Sequence, residues 1–163
     1  MAPNVVLSED AAGVILRPGG VEDLGAVCTL LRTNSLPTDG VESCIDNFVV
    51  AEADSSIMGA AALETYGEYS LLRSVAVSSD LRSKGVGRAL VARLLNDSRS
   101  NGTHAVYLLT TTAESWFASV GFVRVDRASV PGQLLQSEEF KGACPDSATV
   151  MRLDLRSYLP GNS

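Results

Sequence analysis

Val21, Leu24, Val27, Cys28 and Leu31 recur at helical spacing behind Pro18-Gly19-Gly20, with Glu22 and Asp23 acidic in the first turn. That pattern predicts an amphipathic helix ending before Pro37. Ahead of it, Val14–Arg17 reads as a short strand stopped by the Pro-Gly-Gly run. A second short helix is expected over Val41–Ile45, with Asp39 as its N-cap. Two apolar runs, Phe48–Ala53 and Ile57–Thr65, flank Asp54-Ser55-Ser56 and read as a hairpin. A further turn centres on Gly67, before a third strand over Leu71–Val77. These runs are almost continuously apolar, as in strands covered on both faces.

Val86, Leu90, Val91, Leu94 and Leu95 then define a helix to about Ser100, stopped by Asn101-Gly102. Ala105–Thr110 is a strand, Glu114–Val120 a short helix closed by Gly121, and Phe122–Arg127 another strand. Pro131–Phe140 is polar with some helical character, Cys144-Pro145 is a turn, and Ala148–Leu155 alternates as a last strand. Strands and helices in this order predict an α+β chain with a mixed sheet. Leu71–Thr110 forms a strand-loop-helix-strand unit whose crossover is expected to be right-handed.

At 163 residues the length favours one domain. We expect it over residues 14–156, with a flexible tail at 1–13 and a short one at 157–163. No apolar run is long enough to span a bilayer, and Met1-Ala2-Pro3-Asn4 does not begin a secretory signal. The net charge of −6 disfavours a general nucleic-acid surface. An anionic ligand would therefore need a local positive site. Eleven of the 13 cations are Arg, the better residue for bidentate anion recognition. Three widely spaced cysteines, Cys28, Cys44 and Cys144, fit a reducing, cytoplasmic setting. With one histidine, His104, and no paired cysteines, no metal site is expected.

The most informative segment is Arg82-Ser83-Lys84-Gly85-Val86-Gly87-Arg88-Ala89, between a buried strand and a helix start. A helix start offers unpaired N–H groups and partial positive charge. Glycines let the backbone approach a bulky anion, and Arg82, Lys84 and Arg88 add formal charge. Together they describe a phosphate cradle. It is not a Walker loop. Nor is it a dinucleotide fingerprint, since the third glycine is missing and the next strand ends on Thr110-Thr111 rather than an acid.

Arg82-x-x-Gly85-x-Gly87, the preceding Val75-Ala76-Val77 and the downstream Gly121-Phe122 resemble the signature of the GNAT superfamily of N-acetyltransferases. The resemblance runs from about Val14 to Leu155. Leu108–Phe117 with Gly121-Phe122 is similar to the acetyltransferase domain of N-acetylglutamate synthases. Leu63-Glu64-x-Tyr66-Gly67, Leu71-Leu72-Arg73-Ser74, Glu139-Phe140 and Cys144-Pro145-x-Ser147-Ala148 resemble the arsenic-resistance N-acetyltransferases.

The resemblance implies a single domain whose mostly antiparallel mixed sheet splays at an acetyl-CoA site, with helices on both faces. It also implies that the 82–88 backbone holds the pyrophosphate. Val75, Ala76 and Val77 would line the pantetheine and polarise the acetyl carbonyl, and Thr110 and Phe117 would complete the cofactor site. The acceptor amine would attack the thioester directly.

Two family residues are missing. The usual strand glutamate is replaced by Arg73, and the usual tyrosine by Phe117. Glu64 is then the candidate base, and Tyr66 or Ser115 the candidate acid. Arg73 sits in an apolar strand, where an unpaired cation is costly. A carboxylate, phosphinate or arsinate on the acceptor would satisfy it; so would a structural pairing with Glu64. Arg32, Ser74 and Thr111 are further acceptor-site candidates, and Arg32 fits equally well as a helix C-terminal cation.

The expected activity is acetyl transfer to a small anionic amino acid or analogue, without nucleic acid or membrane. Homodimer formation is left open. A CoA-binding sensor without catalysis and a protein-lysine acetyltransferase stand as alternatives.

Overall fold

Strands and helices alternate much as the apolar spacing predicts, in a computed structural model that describes residues 5–6, 13–82 and 84–158. The strands are β1 (Val5–Val6), β2 (Ile15–Pro18), β3 (Phe48–Ala53), β4 (Ser56–Tyr66), β5 (Tyr69–Val77), β6 (Ala105–Thr110), β7 (Val123–Val125) and β8 (Thr149–Asp154). The α-helices are α1 (Leu24–Thr33), α2 (Val41–Cys44), α3 (Val86–Ser100) and α4 (Glu114–Val120). The described chain divides into two compact units, residues 1–63 with 74–94, and 64–73 with 95–163. Strands β4 and β5 and helix α3 run through both.

In the first unit the strand order is β1-β2-β3-β4-β5, and β1/β2, β2/β3 and β3/β4 pair antiparallel. Val27, Leu30 and Leu31 of α1 and Val41 and Cys44 of α2 share one core with Phe48, Val50, Ala60, Ala62 and Ala76. Alanines at the last three positions leave room for the helices. Gly59 of β4 shows the same economy toward α3. A Cβ there would lie 3.1 Å from Leu90 and 3.2 Å from Val86. The hairpin between β3 and β4 turns on Asp54 and Ser55, both at positive φ (51° and 65°), as a tight primed turn requires.

In the second unit the order is β4-β5-β6-β8-β7. The β5/β6 pairing is parallel, over Tyr69–Leu71 with Ala105–Tyr107, and β6/β8 and β7/β8 are antiparallel. The core joins Leu71, Ala105, Tyr107, Val130, Leu134 and Val150, with Tyr66, Tyr69 and Phe140 against it. The chain is thus α+β with a mixed, mostly antiparallel sheet.

Several expectations need correction. Val5–Val6, placed in a tail, pair with Leu16 and Ile15; residues 1–4, 7–12 and 159–163 lie outside the described residues. Asp39 does not cap α2: the N-cap is Gly40, at φ 78°, with no side-chain hydrogen bond. The first helix opens as a 3₁₀ turn over Val21–Asp23. Its buried Asp23 accepts from the Gly20 N–H and is held by Arg17 instead of facing solvent. Pro131–Phe140 resolves into a 3₁₀ turn, Gly132–Gln136, followed by a π-helical turn, Glu139–Ala143. The strand expected over Phe122–Arg127 is only Val123–Val125; Phe122 is instead buried beside Phe117.

Candidate active site

Two groupings of side chains and backbone are the candidates for the chemistry, one in each unit. The first is the segment from the end of β5 into α3. Val75, Ala76 and Val77 close β5, a 3₁₀ turn spans Ser79–Leu81, and α3 starts at Val86. The Lys84 N–H bonds Leu81 O and the Ala89 N–H bonds Gly85 O. The Gly85 carbonyl thus takes the first bond of α3 as its cap, and the opening N–H groups of the helix lack intrahelical acceptors. Gly85 sits at φ +83° with nothing within 4 Å of where a Cβ would be, so a left-handed backbone rather than crowding calls for glycine. Lys84 and Arg82 are exposed, and Arg88 is half-buried. Arg82 donates to Asn34 Oδ1 at 2.6 Å, fixing the loop to the end of α1. Ser83 lies outside the described residues. The start of a fifteen-residue helix flanked by cations offers what an anion cradle needs.

The second grouping centres on Arg73. Its side chain is fully buried. Nη1 lies 3.4 Å from Glu64 Oε2, and Nε lies 3.8 Å from Glu139 Oε2. Tyr66 Oη donates to Glu64 Oε1 at 3.0 Å. Glu139 is 5% exposed, and burial pushes its carboxyl up to about 7; the nearby Glu64 adds to this, while Arg73 and the Cys144 thiol oppose it. Cys144 is in turn pushed up to about 12, by burial first and then by the Glu139 charge and hydrogen bond. Immediately after Arg73, the buried Ser74 holds φ +59°. Such a conformation is costly for a residue with a Cβ and persists only where its surroundings enforce it.

Of the two roles that the sequence leaves open for Arg73, this geometry shows the pairing with Glu64. The protein supplies two carboxylates of its own to a guanidinium without solvent contact. Of the candidate base and acids, Glu64 and Tyr66 lie within hydrogen-bond reach of each other. Ser115 is exposed on α4, and Thr111 is exposed just before it. Thr110 accepts the Ala113 N–H at 3.0 Å, which shapes the entry to α4. Phe117 is buried between Trp116 and Phe122, with ring centroids at 4.9 and 5.9 Å in edge-to-face contact, so its ring serves the core. Arg32 is exposed in the last turn of α1. Glu139 was missed as a site residue. Its one signal was Glu139-Phe140 in the family resemblance, and nothing in its spacing tied it to a strand 66 residues earlier.

Among the described residues no group of His, Cys, Asp and Glu could hold a metal ion, and no helix is long and apolar enough to cross a membrane.

Residues 45–124 match the profile of the acetyltransferase (GNAT) domain. The amino-acid acetyltransferase of Aeromonas salmonicida is 29% identical over 126 residues, which is 71% of this chain and 28% of that protein. The chain thus spans under a third of the length of that curated relative. N-acetylglutamate synthase from Neisseria gonorrhoeae, solved with coenzyme A and N-acetyl-glutamate, superposes with a TM-score of 0.76 at 22% identity, over 87% of this chain and 35% of that one. Rv2747 from Mycobacterium tuberculosis, solved in complex with CoA, gives 0.72 at 23% identity over 85% of this chain and 98% of that chain. The profile match covers the loop from β5 into α3 and the β4–β5 strands that carry Glu64 and Arg73, and on these grounds residues 45–124 form an acetyltransferase (GNAT) domain.

Proposed function

We propose that this chain is an acetyl-CoA-dependent N-acetyltransferase acting on the amine of a small amino acid. The observation that carries this reading is the cradle: a glycine-bearing loop with cations, running from the end of β5 into the start of α3. Its N–H groups and Arg82, Lys84 and Arg88 suit the CoA pyrophosphate. Backbone groups at Val75 and Val77 are the candidates to hold the pantetheine and polarise the acetyl carbonyl.

In the reaction, the acceptor ammonium loses a proton to Glu64, whose position Tyr66 and Arg73 fix. The neutral nitrogen attacks the thioester carbon, a C–N bond forms and the nitrogen gives up its second proton, the C–S bond breaks, and the CoA thiolate takes up a proton. Tyr66, bonded to Glu64, is the better placed of the two acid candidates, because Ser115 lies exposed on a separate helix.

The acceptor class follows relatives named amino-acid acetyltransferases. Within it, we infer a glutamate-like anion, with phosphinic or arsinic analogues as further candidates. Since Arg73 is already paired, recognition of that anion falls to other groups, of which exposed Arg32 is the first candidate.

The test is release of CoA from acetyl-CoA over glutamate, aspartate, methionine, phosphinic and arsinic glutamate analogues, and a lysine peptide, with a blank for the protein's own thiols. Turnover confined to the amino acids supports the reading. Turnover only on the peptide overturns the acceptor class. Silence on every amine, with acetyl-CoA still raising the melting temperature, replaces the enzyme with a CoA-binding sensor.

A further inference from the structure

Away from the two groupings described above, an open groove of about 720 Å³ lies within the first unit. It is lined by α1, by the β3–β4 hairpin and by the start of the turn after β5. Such a volume is usual for a small-molecule site. None of the candidate catalytic, cofactor or acceptor residues lines it.

Gly25, the second residue of α1, helps to keep the groove open. Glycine inside a helix is destabilising relative to alanine. Here neither a left-handed backbone nor crowding calls for it, because a Cβ at Gly25 would meet nothing within 4 Å. The helix thus forgoes a side chain at a position that faces free space.

The chemistry of the walls is one-sided. Three carboxylates, Glu22, Asp23 and Glu52, stand against one guanidinium, Arg17. That cation is already spent. Its Nη1 and Nη2 each donate to Asp23 at 2.9 Å, and its Nε donates to Glu52 Oε1 at 2.8 Å. Glu52 Oε2 and the Glu22 carboxylate have no hydrogen-bond partner among the described residues. The hydroxyls add to the imbalance. Thr29 Oγ1 donates to Gly25 O and Thr33 Oγ1 to Thr29 O, so these oxygens are left to act as acceptors. An acceptor-rich wall with a surplus of negative charge selects a donor-rich, positive ligand. Among the described residues no group of His, Cys, Asp and Glu could hold a metal ion, which favours an organic cation. Leu30 and Ile57 supply apolar wall for its body.

We propose that this groove binds a small organic cation, an amine, amidine or guanidine on a short apolar body, through residues that the acetyl-transfer reading does not use. The inference goes beyond that reading and does not depend on it.

The probe is benzamidine, titrated by calorimetry into the full chain without acetyl-CoA, so that no acetyl transfer can take place. Benzyl alcohol and benzoate share its ring but are neutral and negative. Benzamidine should bind with a Kd of about 1 mM, ordinary for a molecule of about nine heavy atoms, and the other two at least about tenfold more weakly. Glu52→Gln keeps an acceptor oxygen for Arg17 while removing the charge. It should weaken benzamidine about tenfold, the worth of one charge-assisted hydrogen bond. Gly25→Leu fills the groove from a helical position with room for a side chain. It should abolish binding, with a melting temperature at or above that of the wild type.

Equal binding of the three probes, no benzamidine binding at ~10 mM, or an unchanged Kd in Gly25→Leu overturns the inference. If Gly25→Leu does not fold, the double variant Glu22→Gln/Glu52→Gln decides: a weakened Kd supports the site and an unmoved one overturns it. CoA release from acetyl-CoA is measured separately, so the site and the acetyltransferase reading stand or fall independently.

Discussion

Arg82 and Asn34 are 48 residues apart in sequence, yet the guanidinium Nη2 meets the amide Oδ1 at 2.6 Å. The contact joins the residue that ends α1 to the residue that opens the cradle loop. Asn34 also donates to Leu30 O at 2.9 Å, so its amide is fixed by the helix before it meets Arg82. Removing Asn34 should free Arg82 without removing its charge. A charge-assisted hydrogen bond at an exposed site contributes about 1 kcal/mol. Asn34→Ala should accordingly raise KM for acetyl-CoA about three- to tenfold with kcat nearly unchanged, and Arg82→Ala should raise it further. Steady-state kinetics against acetyl-CoA at saturating acceptor would show an unchanged KM if the contact plays no part in binding.

The stability of the fold should decline from mildly acidic to neutral pH. Glu139 is raised from an ordinary 4.5 to about 7 in the folded chain. Between those values the folded state holds a proton that the unfolded state has lost. The stabilisation is therefore full below about 4.5 and is lost as pH rises through about 7. A shift of this size corresponds to something on the order of 3 kcal/mol. Asp23 works in the opposite direction: Arg17 lowers it, so its contribution is present above the ordinary aspartate range and lost as pH falls through its folded value. The melting temperature should peak in mildly acidic solution and fall toward pH 8. Glu139→Gln should flatten that fall, as thermal unfolding followed across pH 4–8 would reveal; an unaltered slope in the variant would assign the fall to other groups.

Cys144 should be a slow thiol. Burial and the neighbouring Glu139 carboxylate push it up to about 12, so the reactive thiolate is scarce at pH 8. Relative to an ordinary thiol near 9, the thiolate fraction is lower by about a thousandfold. Alkylation of the native protein at pH 8, with sites read by mass spectrometry, should leave Cys144 unmodified long after an unfolded control has reacted. Glu139→Gln should speed the reaction by removing the charge that disfavours the thiolate. Equal rates in the native and unfolded chains would contradict the burial.

Much of the fold can be read from apolar spacing, and the reasons are local. Ala105–Thr110 and Glu114–Val120 appear with the predicted bounds because Asn101-Gly102 and Gly121 punctuate them, with Gly102 at φ +85° and Gly121 at φ +119°. The cradle is legible for the same reason: its glycines, cations and helix start are consecutive. The Arg73 centre is only half legible. Glu64 and Arg73 lie nine residues apart across one hairpin, close enough for their pairing to be anticipated. Glu139 arrives from an irregular segment whose π-helical turn and positive-φ Gly142 have no hydrophobic period. Its contact with Arg73 depends on how that segment folds back, which no spacing encodes. The Arg73–Glu64 pairing was one of the two partners the sequence offered this cation, whereas Glu139 was not among them.

Replacing Arg73 separates the two roles most sharply. If its guanidinium were held open for the acceptor, Arg73→Ala would leave the melting temperature almost unchanged and raise KM for an anionic acceptor. The buried geometry predicts otherwise. Removing the cation leaves Glu64 and Glu139 facing one another without compensation, at 13% and 5% side-chain exposure. Losing one partner of a buried pair costs about 3–5 kcal/mol, or a melting temperature lower by about 10 °C or more in a chain of this size. The deficit should be largest above neutral pH, where Glu139 is charged, and should shrink toward pH 5 as Glu139 takes up its proton. Arg73→Lys should recover only part of the loss, since an ammonium keeps the charge but lacks the planar fork that faces two carboxylates at once. Differential scanning calorimetry of the wild type, Arg73→Ala and Arg73→Lys at pH 5, 6.5 and 8 tests this. A Tm deficit in Arg73→Ala that is small and independent of pH would return Arg73 to the acceptor side of the reaction.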